Sequence, residues 1–132
     1  MTKLTNTHAL IIEDTETDAD VLANMLDQLG VVYTLLLNSP NIFDLLMDVE
    51  MPDVIFLDLE LPGPNGYQVL EAIKVESNMR HVPVVAYTSH LSEMANARNA
   101  GFHSFLGKPL KRTEFAGQLT SIINNVPVWD VR

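Results

Sequence analysis

Residues 53–66, DVIFLDLELPGPNG, restrict the fold more than any other stretch of the chain. Val54, Ile55, Phe56 and Leu57 form an unbroken apolar run that stops on Asp58. A strand without polar alternation is buried on both faces, as in a parallel sheet covered by helices on each side. Pro62, Gly63, Pro64, Asn65 and Gly66 then forbid regular structure, so the chain must turn just past Asp58. A carboxylate therefore sits at the exit of a central strand, beneath a stiff loop. In an open α/β sheet that edge is where ligands bind.

The remaining chain repeats the same unit. Residues 9–12 are apolar and end at Glu13 and Asp14; Val21, Leu22, Met25, Leu26 and Leu29 then recur at helical spacing, and Gly30 suits a C-terminal cap. A second strand is expected over 31–37 and a second helix after Pro40, ending before Pro52. Tyr67, Val69, Leu70 and Ile73 mark a third helix that dissolves near Ser77 and Asn78. A fourth strand over 82–87 leads into Thr88 and Ser89, and a weakly apolar helix over 91–100 stops at Gly101. A fifth strand over 102–106 precedes Gly107, Lys108 and Pro109; Phe115, Leu119, Ile122 and Ile123 give the last helix. Five strands alternating with five helices imply an α/β fold, a flavodoxin-like doubly wound parallel sheet of order 2-1-3-4-5. Residues 1–125 are expected to form this domain and 126–132 a C-terminal tail that carries Trp129.

Composition excludes several function classes. At 132 residues with 47% hydrophobic and 19% charged content, the expectation is one soluble domain. No apolar run is long enough for a membrane span, and the first residues lack the core of a signal peptide, so the expected location is cytoplasmic. With no cysteine there is neither a disulfide framework nor a thiolate nucleophile. A net charge of −9 with eight Lys and Arg residues argues against nucleic acid as a partner.

Parallel strands all exit at one edge. Glu13 and Asp14, Asp58, Thr88 and Lys108 are thereby expected to converge although they are scattered in sequence. Clustered carboxylates raise one another's pKa unless a cation sits among them, and oxygen ligands with retained water suit Mg²⁺. A metal and a lysine around a carboxylate supply what phosphoryl transfer needs, namely charge neutralisation and placement. Asp58 is then the nucleophile of an aspartyl phosphate, and Thr88 a hydroxyl donor to a phosphoryl oxygen.

In these residues the chain closely resembles the CheY-like receiver domain of response regulators. The resemblance rests on the acidic pair Glu13–Asp14, on Asp58, Pro62 and Gly66 in the pattern Asp-x-x-x-Pro-x-x-x-Gly, on Thr88, and on Lys108–Pro109. It implies a stand-alone switch of a two-component phosphorelay rather than a turnover enzyme. Asp58 would accept a phosphoryl group from a sensor histidine kinase or a phosphotransfer protein. Asp14 and Asp58 would ligate Mg²⁺ directly, Glu13 through water, and Glu60 through its backbone carbonyl. Lys108 would pair with the phosphoryl group, and the peptide before Pro109 would be cis.

The same resemblance places Phe105 at an aromatic switch position where the family often has Tyr; lacking a hydroxyl, it is expected to act by packing. Glu60 and His90 fall at the mouth of the site, an acid and an imidazole able to pair across it. The implied downstream partner is a protein docking on helix four, strand five and helix five, and the chain would be a monomer or a phosphorylation-linked homodimer. Lys111 occupies the place of a capping residue, so the last helix is expected to start poorly capped. Three rival readings share the topology. An aspartate-nucleophile phosphatase would use Glu60 as its second acid but has no cap domain here. A flavodoxin-type binder would need a phosphate loop where Glu13, Asp14, Thr15 and Glu16 stand. A receiver that is never phosphorylated would serve as a fixed docking module.

Overall fold

The computed structural model describes residues 4–61, 63–76 and 78–130, with the side chains of all of these but Asp18 and Glu76. Pro62 of the motif, Ser77 at the expected end of helix three, and tail residues 131–132 lie outside the described residues. The elements in order are β1 (His8–Glu13), α1 (Glu16–Gln28), β2 (Val32–Leu37), α2 (Ile42–Asp48), β3 (Val54–Asp58), α3 (Gly66–Glu76), β4 (Val84–Thr88), a 3-10 turn (Leu91–Glu93), α4 (Met94–Ala100), β5 (Ser104–Gly107), α5 (Arg112–Ile123) and β6 (Trp129–Asp130). The sheet order is β2-β1-β3-β4-β5-β6, with every pairing parallel. The expected order of five strands is present, and a two-residue sixth strand from the tail is added at the β5 edge.

Side chains alternate across the sheet and divide the core in two. Leu10, Ile12, Ile55, Leu57, Val84, Ala86 and Phe105 pack with Ile42 and Leu46 of α2, Val69 and Ile73 of α3, and Ala97 of α4. Ala9, Ile11, Val54, Phe56, Val85, Tyr87 and Leu106 pack with Leu22 and Leu26 of α1 and Phe115, Leu119 and Ile122 of α5. The central strands β3 and β4 are buried throughout, which accounts for their lack of polar alternation.

Element ends differ from the sequence expectation for local reasons. Pro83 has no N–H to give the ladder, and β4 begins after it, at Val84. The Phe102 N–H turns back to Ala97 O at 3.2 Å as α4 closes on left-handed Gly101, which delays β5 to Ser104. The expected fourth helix is divided because Glu93 N–H bonds His90 O in a 3-10 turn before α4. At Lys111, α5 starts without a side-chain cap.

Candidate functional site

The two-residue period places the polar strand ends by side as well as by edge. Glu13 continues the row Ala9 and Ile11, Asp58 the row Val54 and Phe56, and Lys108 the row of Leu106. With Tyr87, these residues belong to the α1/α5 side of the sheet. Thr88 continues Val84 and Ala86 and so faces the α2–α4 side, as does Phe105. The rim is therefore built as two half-sites that meet at Asp58.

In the first half-site, Lys108 Nζ lies 3.2 Å from Glu13 Oε2 and 3.4 Å from Asp58 Oδ2. It also stands 4.5 Å from the centroid of the Tyr87 ring, a cation–π contact. The Tyr87 hydroxyl donates to Glu13 Oε2 at 2.5 Å, and the Asp14 N–H donates to Glu13 Oε1 at 2.9 Å. Asp58 Oδ1 accepts from the Glu60 N–H at 2.9 Å. Glu13 and Asp58 are both buried, whereas the Asp14 side chain is exposed. Burial pushes the Asp58 carboxyl from 3.8 up to about 6; the Glu60 N–H and the Lys108 charge pull against that, and neighbouring Glu13 adds to it. Burial alone would depress Lys108, but the Asp58 and Glu13 charges hold its pKa above the ordinary lysine value. Two buried acids share one lysine, and the excess is negative.

The second half-site centres on Glu60. Its Oε2 accepts from the Thr88 hydroxyl, from the Ser89 N–H at 3.0 Å and the Ser89 hydroxyl at 2.9 Å, and lies 3.1 Å from His90 Nδ1. The His90 N–H in turn donates to Thr88 Oγ1 at 3.1 Å. Burial raises the Glu60 carboxyl, but the hydrogen bonds from Thr88 and Ser89, with the electrostatic pull of His90, outweigh it and leave its pKa below the usual range. Leu59, Glu60, Leu61, Tyr67, Thr88 and His90 line a cleft of about 410 Å³ here. Across the rim, Val21, Leu22, Lys108, Pro109 and Leu110 line a cleft of about 300 Å³.

Two glycines and a proline shape this rim. A Cβ on Gly66 would come within 2.8 Å of Asp58 O and 2.9 Å of Leu59 Cα, so only glycine lets α3 start against the exit of β3. Gly107 lies opposite Thr88 and Ala86 opposite Phe105, so the buried Phe105 ring has a small neighbour on the β4 side and Trp129 on the other. The Lys108–Pro109 peptide is cis.

A family model of the response regulator receiver domain matches residues 9–120. The chain belongs to the response-regulator receiver family. It is thus a receiver domain of two-component signalling, and its fold is the flavodoxin-like receiver fold. The receiver is 25% identical to the polar-differentiation response regulator DivK of Brucella anthropi over 118 residues, 88% of this chain and 95% of that one. Its fold matches the receiver domain of the sensor histidine kinase PA1611 of Pseudomonas aeruginosa at a TM-score of 0.78 and 29% identity, covering 89% of this chain and 98% of that one. That domain carries a magnesium ion in its active-site cleft. The receiver domain of a DNA-binding response regulator of Colwellia psychrerythraea matches at 0.76 and 29%, with 89% and 98% covered.

The receiver's structure brings Glu13, Asp58 and Lys108 into contact and links Glu60, Thr88 and His90 in a second network. Among the described residues, no three carboxylate or imidazole groups stand close enough to form a ready-made metal cage. The fit to a hard divalent cation is one of charge and donor type, since two desolvated acids are matched by a single lysine. Sequence reasoning missed Tyr87 and Ser89. Tyr87 was legible only through its place in the same alternate row as Val85, which puts its hydroxyl beside Glu13. Ser89 carries no sequence signal beyond following Thr88.

Proposed function

We propose that this receiver is a phosphorylation-controlled switch in which Asp58 takes a phosphoryl group from the phosphohistidine of a sensor kinase or phosphotransfer protein. The observation that supports it most is the buried Glu13–Lys108–Asp58 contact, an acceptor carboxylate held beside a charged lysine at the sheet edge. Asp58 Oδ2 attacks phosphorus, the P–O bond forms as the P–N bond breaks, and the donor imidazole departs with its electron pair and is protonated. Lys108 balances charge on the transferring oxygens. Mg²⁺, held by Asp14, Asp58, the Glu60 carbonyl and, through water, Glu13, would supply the charge neutralisation that one lysine cannot. In the resting protein the Thr88 hydroxyl is given to Glu60, so Glu60 must yield it before Thr88 can donate to a phosphoryl oxygen. The apolar cleft formed by Val21, Leu22 and Leu110 beside Lys108 suits the approach of a donor protein.

Output on this reading is by protein contact at the α4–β5–α5 side, with Phe105 repacking among Ala86 and Gly107 rather than exchanging hydrogen bonds. The chain accumulates an acyl phosphate and loses it slowly; it does not turn over an external ester. The test is incubation with Mg²⁺ and acetyl phosphate followed by intact mass. A single phosphate adduct is expected on the wild type and none on Asp58→Asn. An unmodified wild type, or an adduct that survives the substitution, overturns the proposal.

A further inference from the structure

The tail is bound to the domain as a ligand would be. Val128 O accepts from the Phe105 N–H at 2.8 Å, and the Val128 N–H donates to Ser104 Oγ at 3.0 Å. Trp129 and Asp130 then pair in parallel with Phe105 and Leu106. Arg98 of α4 lies 4.3 Å from the Trp129 ring centroid. Lys111 at the start of α5 holds both Asp130 oxygens, at 2.8 and 2.9 Å, and Gln118 donates to one of them at 2.8 Å. The strip on the domain has a backbone ladder, an aromatic seat and a carboxylate seat, and each seat is carried by a helix of the folded body.

Two features mark this segment as an exchangeable occupant. A two-residue strand adds little cooperative stability of its own, and α5 is already closed ahead of it, with Asn125 at a φ of 67° and the Val126 N–H on Ser121 O at 2.8 Å, so the strand can leave without unwinding the helix. In a chain of net charge −9 with eight Lys and Arg residues, two of those cations converge on the aromatic–acidic pair Trp129–Asp130. Without the tail, β5 would be an open edge strand, a template for extended peptide.

We propose that the β5 edge with Arg98, Lys111 and Gln118 is a peptide-recognition strip whose resident occupant is the chain's own residues 128–130. A partner protein enters by presenting an extended apolar–aromatic–acidic segment that displaces the tail. Specificity comes from the aromatic side chain over Arg98 and the carboxylate on Lys111, with the ladder setting parallel direction. This inference rests on the output role given above to the α4–β5–α5 side and names the partner's chemistry there; it does not depend on Asp58 chemistry and is tested without Mg²⁺ or phosphodonor, so its failure is distinct from failure of the phosphorylation reading.

The probe is a synthetic peptide of residues 124–130 with phenylalanine in place of tryptophan, so that Trp129 remains the sole tryptophan in solution. It is titrated into the wild type and into a Trp129→Ala/Asp130→Ala double variant, with binding followed by NMR and calorimetry and folding checked by circular dichroism. A tethered tail competes at an effective concentration of roughly millimolar, so the double variant should bind on the order of tenfold more tightly than the wild type. Saturating the wild type should shift Trp129 emission to the red as the tail leaves, and adding Arg98→Ala and Lys111→Ala to the double variant should weaken binding about tenfold or more. Equal affinity for both proteins, no binding to the folded double variant, or indifference to Arg98 and Lys111 overturns the proposal. A double variant that does not fold leaves the wild-type arm to decide: unchanged Trp129 emission at peptide concentrations well above millimolar overturns it as well.

Discussion

Asp58→Asn is the substitution whose effect on stability is most tightly constrained by the structure. The native carboxyl titrates near 6 rather than 3.8, chiefly because it is buried. About two pKa units at about 1.4 kcal/mol each give a cost of about 3 kcal/mol for keeping Asp58 ionised in the folded protein. The folded state binds this proton more tightly than the unfolded state does. Its contribution to stability is therefore complete below pH 3.8 and is lost as pH rises through 6. Asparagine keeps the acceptor for the Glu60 N–H and carries no charge. In chelator, urea unfolding should show the variant more stable than wild type by up to about 3 kcal/mol at pH 8, or roughly 10 °C in Tm. The gap should shrink steadily toward pH 4. Taking the difference between the two proteins at each pH cancels the other carboxylates, including Glu60, whose shift has the opposite sign. A variant no more stable than wild type at pH 8, or a gap that does not depend on pH, would refute the claim that desolvation dominates this site.

Three further outcomes follow from the same geometry. Gly66→Ala should cost about 1–3 kcal/mol, because the new methyl meets backbone atoms of Asp58 and Leu59 that cannot rotate away; unfolding within 0.5 kcal/mol of wild type would show that the close approach relaxes. If Glu60 competes with the phosphoryl group for Thr88, Glu60→Ala should raise the equilibrium level of acetyl-phosphate adduct by about tenfold, the worth of one charge-assisted hydrogen bond. Intact mass at several donor concentrations reads this, and an unchanged midpoint removes the competition. Mg²⁺ at about 100 times its dissociation constant should stabilise the wild type by about 2.7 kcal/mol and Asp58→Asn by much less, as followed by thermal unfolding at pH 8. Equal stabilisation of both would place the ion elsewhere.

What could be read from the chain alone was whatever is carried by consecutive residues. Residues 54–57 announced a doubly buried strand because four apolar side chains in a row must point to both faces. Strand–helix alternation then forced one exit edge, and with it the company of Glu13, Asp58, Thr88 and Lys108. The breakers after Asp58 located the loop, and the lack of a capping side chain at Lys111 was visible as a residue type. What the folded chain alone decided was direction and pairing between distant side chains. The Tyr87 hydroxyl reaches Glu13 across 74 positions, and Lys111 holds Asp130 at 2.8 Å, closer than the 3.8 Å to Glu114 of its own helix. Thr88 serves Glu60 because strand alternation turns it away from the lysine side of the rim. The tail strand had no periodicity to announce it, since two residues make no pattern and its partners lie on β5, α4 and α5. Burial, which sets the charge balance at Asp58, exists only once both helical layers have closed over the sheet.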